Sequence, residues 1–430
     1  MKNIFIKSTI ILVIGGFFTK VLGLTIKIVL TRMIGTTGIG LYSMIIPTFL
    51  LINCISQLGL TNALNVLISS NKYNNKNLIG TSIFISLTID FILFIILLLL
   101  HNFISSNLLH ESKLSLGILS IGFVLPFITI SNILRSYYFA KVRIIPHVIT
   151  TIFEDLIKLI VIIVGIPHLL KYGYSIVIAY IILCNILCEL ESILVFLILL
   201  PKFKCTKKDL TPNFKNIKDL FSIASPTTIS RLIGTLGYFL EPIIITYVLL
   251  KIGYSNSYIV NEYGIINGYV IQLVLLPSFF TSAISQVLIP IISKNKEKKE
   301  YVRSKMIQAI SISLLIGIPC TIIFMLFPDR LLKLFFNTNK GVNYIRVIAP
   351  ICLLHYIQSP LSSFLQAMKK AKIAMRSTLY GMIIRAIILF TFSYLKIGLW
   401  SLIISIGTNI IFVTLYDLYN VKKTIKNILN

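Results

Sequence analysis

The sequence predicts an all-α polytopic membrane protein with about twelve transmembrane helices in two parallel six-helix repeats. Three observations support this fold class. Hydrophobic residues make up 56% of the 430 residues while charged residues make up only 13%, and the mean hydropathy is +0.92. Apolar runs of about 20 residues, the length that crosses a bilayer, recur along the chain. A soluble protein of this size could not cover so much apolar surface.

The apolar runs and the polar residues between them predict the position of each helix. The first six predicted spans are 8–33, 41–69, 79–101, 114–139, 147–168 and 175–200. The second six are 220–250, 262–293, 306–327, 342–368, 371–395 and 397–420. The first run lacks a small-x-small cleavage site, which favours a retained helix over a cleaved signal peptide. The predicted domains are an N-terminal lobe over 1–200, a basic cytoplasmic linker over 201–219 and a C-terminal lobe over 220–430.

The net charge of +26 follows from the connections between the spans. Most lysines and arginines of these connections fall on the same side as both chain ends, and cytoplasmic loops carry such an excess. The pattern predicts a multi-pass membrane protein with both termini in the cytoplasm. It also explains the excess of basic over acidic residues without a nucleic-acid partner. Membrane lipids are the expected surroundings of the chain.

The two predicted lobes resemble each other. The stretch LPFITISNILRSYYFAKVRIIPHVITTIFEDLIKLIV (125–161) runs parallel to 349–388, since each passes from a proline through a basic turn to a helix with a cation. Six spans per repeat make both copies enter the membrane from the same side, as in transporters with two parallel lobes. A V-shaped central cavity between the lobes is the binding site that this arrangement predicts.

The first predicted span carries two cations on a glycine-containing stripe. Gly16, Lys20, Gly23 and Lys27 follow one another at three- and four-residue spacing, which places them on one helix face. Lys20 lies about 18 Å along the helix axis, too deep to reach either surface easily. The glycines permit close helix approach or leave room for a ligand. We predict that Lys20 and Lys27 line a cavity, with an ion pair for Lys20 or an interfacial position for Lys27 as the alternatives.

The seventh predicted span carries a second such face. Arg231, Gly234, Tyr238 and Glu241 fall at i, i+3, i+7 and i+10, so they share one broad side of the helix. Arg231 and Glu241 lie about 15 Å apart along the axis and cannot neutralise each other. Each therefore needs water, substrate or the other lobe as its partner. Pro242 removes a backbone donor and predicts a bend, which would make this helix a gating element.

Other ionisable residues fall inside predicted spans, where a charge costs about 2.5 kcal/mol or more. Glu154 and Lys158 are spaced i, i+4, and an internal salt bridge is the favoured interpretation. Arg385 has no acidic residue within one turn, which favours a position in the cavity.

Asp90 is alone in the third span. It is interpreted as a proton or Na⁺ site, or as a carboxylate held by the hydroxyls of Ser86 and Thr88. Glu241 and Asp90 are thus the candidates for ion coupling, to Na⁺ or H⁺, and no other cofactor is predicted.

Deep cations outnumber the unpaired deep acids. A water-filled cavity with a positive surplus attracts an anion, and arginine suits the geometry of phosphate. The predicted anion site comprises Lys20, Lys27, Arg231 and Arg385, with Tyr238 contacting sugar. No metal site is predicted from the six scattered cysteines. A membrane-embedded glycosyltransferase is disfavoured because the outer loops offer only unpaired acids, namely Glu111, Glu262 and Asp329.

Three stretches carry a resemblance to a known family. FFTKVLGLTIKIVLTRMIGTTGIGLYSMIIP, SRLIGTLGYFLEPIII and LLPSFFTSAISQVLIPIIS resemble the stage V sporulation protein B group of polysaccharide transporters. This group belongs to the multidrug/oligosaccharidyl-lipid/polysaccharide flippase superfamily, which includes lipid II flippases. In lipid II flippases a pattern like S-R-V-L-G places an arginine in the cavity, and residues 19–23 match it, with Lys20 at the position of that arginine. The pattern continues with an Arg-Asp pair where this sequence has Ile26 and Lys27.

The resemblance implies a transporter without enzymatic activity. It implies alternating-access translocation of an undecaprenyl-diphosphate-linked saccharide, such as lipid II or another cell-envelope or polysaccharide precursor, made and used by cell-envelope enzymes. A sporulation role and a vegetative role both stay open. The alternative is a cation-coupled multidrug exporter on the same fold, although such a pump needs acidic and aromatic groups in its chamber rather than a positive surplus.

Overall fold

The computed structural model describes residues 2–70, 73–141, 143–199, 214–295 and 298–429. Every regular element in these ranges is helical. The first seven α-helices are α1 Lys2–Gln57, α2 Leu60–Ser69, α3 Asn75–Phe103, α4 Ser115–Ala140, α5 Ile145–Leu169, α6 Tyr174–Leu199 and α7 Phe214–Lys251. The others are α8 Asn256–Gly264, α9 Ile271–Val274, α10 Ser278–Lys294, α11 Lys299–Leu326, α12 Pro328–Phe336, α13 Val342–Ala367, α14 Ala371–Ser393 and α15 Trp400–Leu429.

The helical elements confirm an all-α multi-pass membrane protein. Within the described ranges nine helices are long and apolar enough to cross a membrane, or up to ten if a bent helix pair counts as one span. That bent pair, Asn256–Val274 with Ser278–Ser293, occupies the eighth predicted span. Ile14–Ser69 contains most of the first predicted span and all of the second. Helix α5 carries Glu154, Asp155 and Lys158 and is not among the nine. The number twelve and the repeat arrangement therefore stay predictions.

Gly35 marks the break between the first two predicted spans. Its backbone has φ +66° and ψ −171°, a non-helical conformation inside α1. This region of backbone space is essentially restricted to glycine, because a Cβ atom collides with the neighbouring peptide groups. Two helices, one for each of the first two predicted spans, therefore meet at a kink at Gly35.

Gly35→Ala is expected to destabilise the protein by about 1–3 kcal/mol, since alanine must adopt a strained backbone. Thermal unfolding in detergent measures this, with Gly16→Ala as the control, because nothing in the described structure lies within 4 Å of a Cβ built on Gly16. Equal unfolding temperatures for the two variants would contradict the assignment of a strained hinge to Gly35.

The chain forms two compact units, Met1–Phe239 and Leu240–Asn430. The division falls inside α7, later in the sequence than the predicted start of the C-terminal lobe at 220. Most of the predicted linker lies outside the described residues, and its last residues already belong to α7.

The beginning of α7 packs in the first unit. Leu220 and Ala224 join the buried residues of α2 and α3, and Asn216 Nδ2 donates a hydrogen bond to Asn77 Oδ1 at 2.6 Å. Tyr73 Oη donates to Asp219 Oδ2 at 2.9 Å. This hydrogen bond raises the pKa of Tyr73, because a phenolate would face the carboxylate. The contacts fix the amino-terminal part of α7 on the first unit.

Close helix packing organises each unit. In the first unit α4 packs against α3 and α6, and α1 packs against α5. Gly117 on α4 permits this approach, since a Cβ there would lie 2.7 Å from Ile45 and 2.9 Å from Ile178. In the second unit α13 packs against α10, α11 and α15, while α14 packs against α15. Tyr356 is fully buried there and donates a hydrogen bond to the Val274 carbonyl at 2.6 Å.

Candidate functional site

Helix α1 has one packed side and one open side. On the packed side a Cβ built on Gly15 would lie 2.3 Å from Val148 of α5, so the two helices touch at that glycine. On the open side Lys20 and Lys27 are exposed. Among the described residues, nothing lies within 4 Å of a Cβ built on Gly16 or Gly23. The glycines of the predicted stripe therefore leave space in front of the lysines.

Helix α5, which packs on α1, adds a third cation that interacts with Lys27. Lys158 of α5 and Lys20 of α1 each lie within electrostatic range of Lys27. Lys158 is half-buried and donates a hydrogen bond to Asn185 Oδ1 at 3.1 Å. Asp155 lies within electrostatic range of Lys20 and Lys158. We call Lys20, Lys27 and Lys158 the basic cluster. With Asp155 and Glu189, which lie within electrostatic range of Lys158, counted against it, the cluster keeps one surplus positive charge.

Glu154 does not pair with Lys158, although their spacing favoured that pair. Its carboxylate accepts a hydrogen bond from Arg135 of α4, in an ion pair, and another from the hydroxyl of Ser192 of α6. The pairing brings three helices together at one carboxylate. Lys158 instead bonds to Asn185, and its nearest carboxylate along α5 is Asp155, three positions earlier.

The predicted face of α7 is open at its first three positions. Arg231 and Tyr238 are exposed, and nothing in the described structure lies within 4 Å of a Cβ on Gly234. Arg231 takes part in no ion pair within the described ranges. Pro242 is buried within the continuous helix, and its carbonyl accepts a hydrogen bond from Thr246 Oγ1 at 2.8 Å. The bend predicted at Pro242 stays a prediction.

The fourth position of that face, Glu241, has partners within the second unit. Arg385 of α14 forms an ion pair with Glu241 Oε2, and Tyr263 Oη donates to Glu241 Oε1 at 3.1 Å. Both charged side chains are largely buried, with 18% exposure for Arg385 and 7% for Glu241. The sequence predicted water, substrate or the other lobe as the partner of Glu241, and a cavity position for Arg385. In the structure Glu241 and Arg385 instead neutralise each other.

Asp90 lies at the meeting point of three helices. It is 1% exposed, and its Oδ1 accepts a hydrogen bond from Ser56 Oγ of α1 at 2.5 Å. Ser56 Oγ lies 3.1 Å from Thr129 Oγ1 of α4. The hydroxyls around the carboxylate thus come from neighbouring helices rather than from Ser86 and Thr88. Such a group of a carboxylate and two hydroxyls can hold a proton or a small cation.

Asp155, Arg135 and Tyr263 are the site residues that sequence reasoning missed. Asp155 had a local signal, because it stands three positions before Lys158 on the same helix and therefore beside it. Arg135 and Tyr263 had none. Each reaches its partner from a different helix, and spacing along one helix carries no information about such contacts.

The fold and the paired and unpaired charges inside its spans define a multi-pass membrane transporter, and comparison with known proteins specifies its family. The family model for polysaccharide biosynthesis proteins matches residues 5–296, and the MatE model matches residues 263–391. The chain belongs to the polysaccharide biosynthesis protein family and is a flippase-family transporter. It is 31% identical to stage V sporulation protein B of Bacillus subtilis (strain 168) over 439 residues, which cover 99% of this chain and 85% of the relative.

Solved structures show the same fold. An inward-facing multidrug resistance MATE family transporter of the MOP superfamily superposes with a TM-score of 0.74 at 16% identity, covering 95% of each chain. Lipid II flippase MurJ in an inward closed conformation superposes with a TM-score of 0.72 at 18% identity, covering 95% of this chain and 87% of the other. These likenesses confirm the predicted class of fold, an all-α polytopic membrane transporter fold.

Proposed function

We propose that the protein is a flippase that moves a polyprenyl-diphosphate-linked saccharide across the bacterial cytoplasmic membrane by alternating access. The observation that carries this proposal is the basic cluster, in which Lys20 and Lys27 are exposed on the open side of α1 and Lys158 of α5 lies within electrostatic range. The three lysines outnumber the two acids within electrostatic range of them, Asp155 and Glu189, and a diphosphate would balance the remaining positive charge. Both termini are cytoplasmic in this proposal, and cell-envelope enzymes supply and consume the lipid-linked saccharide.

The head-group site in this proposal comprises Lys20, Lys27 and Arg231, with Tyr238 contacting sugar. Ammonium and guanidinium groups donate charge-assisted hydrogen bonds to phosphate oxygens. Open space beside Gly16, Gly23 and Gly234 gives a bulky ligand access to these side chains. Arg385 is not included, because Glu241 already neutralises it.

Ion coupling is assigned to Asp90 in this proposal. Its carboxylate is buried beside two hydroxyls, whereas Glu241 already has Arg385 as its counter-ion. Binding of H⁺ or Na⁺ would neutralise the Asp90 carboxylate, which lies where α1, α3 and α4 meet. Ion binding would in this way change the packing of these three helices in the first unit.

Asp90→Asn is expected to abolish the dependence of translocation on an imposed Na⁺ or H⁺ gradient, because an amide cannot change its charge. Proteoliposomes with and without each gradient measure this. Asp329→Asn, on an exposed acid of α12, is the control and keeps the dependence of the wild type. A gradient dependence that survives in Asp90→Asn would exclude Asp90 as the coupling residue.

Export of organic cations is the second candidate function. The MatE match over residues 263–391 favours it. The basic cluster opposes it, since cations repel a cationic drug.

A direct comparison of cargoes decides between the two functions. Proteoliposomes with a fluorescent polyprenyl-diphosphate disaccharide test the first, and vesicles loaded with a fluorescent organic cation test the second. Protein-dependent movement of the lipid-linked sugar without movement of the cation supports the flippase. The reverse pattern would establish the exporter.

A further inference from the structure

The second unit contains an open cavity of about 680 Å³ that the proposed translocation site does not use. It lies where the amino-terminal ends of α8, α13 and α15 meet, and Tyr258, Tyr344 and Trp400 line it. The distribution of basic residues predicts that these helix ends face the extracytoplasmic side. The volume lies within the range of about 300–1,000 Å³ that is typical of small-molecule sites.

The backbone at the cavity is shaped by local signals in the sequence. Ser255 caps α8, since its Oγ accepts a hydrogen bond from the Tyr258 amide at 3.3 Å. Gly398 has φ +60°, and a Cβ on it would lie 2.5 Å from Tyr258 Oη. The connection before α15 can therefore approach the Tyr258 ring only with glycine at 398.

Aromatic rings form part of the cavity wall. The rings of Tyr344 and Trp400 pack edge to face with centroids 4.6 Å apart, and Tyr258 stacks on Tyr254 at 5.1 Å. Tyr254 is itself held by a hydrogen bond from its hydroxyl to the Lys396 carbonyl at 2.7 Å. These contacts orient the rings of the wall.

Polar groups accompany the rings in the lining. The amides of Asn261 and Asn343 offer both donors and acceptors. Glu262 accepts a hydrogen bond from Tyr344 Oη at 2.7 Å and offers a second carboxylate oxygen. Lys340 also lines the cavity, so the single negative charge of Glu262 is offset and the lining has no net charge.

We propose that this cavity binds a neutral saccharide and that it receives the sugar portion of the lipid-linked cargo on the extracytoplasmic side. A pyranose ring has an apolar C–H face that packs on an aromatic ring and a rim of hydroxyls that bond to amides and carboxylates. The inference rests on the proposed function for the identity of the cargo. Binding of a free sugar to the cavity does not depend on it.

Trp400 makes the test direct, because it is the single tryptophan of the chain and lines the cavity. The full-length protein in detergent is titrated with N,N′-diacetylchitobiose while its tryptophan emission is recorded. The expected result is a saturable change in emission. Absence of any change at millimolar sugar would overturn the proposal.

Variants of lining residues test where the sugar binds. Asn343→Ala and Glu262→Gln are each expected to lower the affinity for the disaccharide by about tenfold, because each substitution removes or weakens a hydrogen bond to it. Asn107→Ala, on an exposed asparagine of the first unit, is the matched control and keeps the affinity of the wild type. Equal affinity in all three variants would place the sugar elsewhere and refute the site. The wavelength of maximal emission without sugar shows whether the surroundings of Trp400 in each variant are the same as in the wild type.

A cationic ligand is the competing explanation, since aromatic rings beside a carboxylate also hold quaternary ammonium groups. Saturable quenching by tetramethylammonium without a response to the disaccharide would overturn the saccharide proposal. The titration involves no translocation, so its failure leaves the flippase proposal intact. Conversely, sugar binding in a protein that moves no lipid-linked saccharide would contradict the flippase alone.

Discussion

Lys20→Ala is expected to lower the rate of translocation of a polyprenyl-diphosphate disaccharide by roughly tenfold to a hundredfold. Lys20 is exposed on the open side of α1, so in the proposed site its ammonium group contacts a phosphate oxygen of the cargo. One charge-assisted hydrogen bond contributes about 1.5–3 kcal/mol, and about 1.4 kcal/mol corresponds to a factor of ten. Initial rates in proteoliposomes with equal amounts of folded protein measure the effect.

Two further variants separate charge from packing at this position. Lys20→Arg keeps the charge and is expected to retain most of the rate. Lys171→Ala removes an exposed lysine in the connection between α5 and α6 and serves as the matched control. If Lys20→Ala translocates as fast as Lys171→Ala, Lys20 does not bind the cargo and the head-group site is wrong.

Glu241→Ala is expected to destabilise the folded protein by about 3–5 kcal/mol, because removing one partner of a buried ion pair leaves the other charge uncompensated. Glu241 loses contact with Arg385 of α14 and with the Tyr263 hydroxyl in the same substitution. The unfolding temperature in detergent, measured under conditions where unfolding is reversible, reports the loss.

A double variant tests whether the ion pair is the cause. Glu241→Leu combined with Arg385→Met replaces both charges with apolar groups of similar size, and such a replacement is often close to neutral. Glu300→Ala removes an exposed acid at the beginning of α11 and controls for net charge. If the double variant is as unstable as Glu241→Ala, the instability arises from lost packing rather than from an uncompensated charge on Arg385.

The helices and the open faces of the candidate site were largely predictable from sequence. Runs of apolar residues identify helices because backbone polar groups in lipid must be satisfied within a segment. The stripe of Gly16, Lys20, Gly23 and Lys27 follows from helical spacing alone, and the structure places its lysines on an exposed side. Glycine at 35 predicted no specific geometry, yet its non-helical backbone forms the kink between the first two predicted spans.

The partners of the buried charges were not predictable in this way. Spacing along one helix favoured Lys158 for Glu154, but Arg135 of α4 occupies that carboxylate. Glu241 and Arg385 are 144 residues apart in sequence, and only the packed structure brings them together. Contacts within a helix are set by its geometry, whereas contacts between helices depend on how each rotates about its axis when it packs.

The central claim is that Lys20 and Lys27 on the open side of α1 bind a lipid-linked diphosphate. Native mass spectrometry of the purified protein with added undecaprenyl diphosphate tests this claim most directly. The wild-type protein is expected to carry one bound lipid. The double variant Lys20→Ala/Lys27→Ala is expected to lose it, while Lys171→Ala/Lys396→Ala, on exposed lysines outside α1, keeps it. Equal lipid occupancy in both double variants, or a wild-type protein that carries none, would contradict the account.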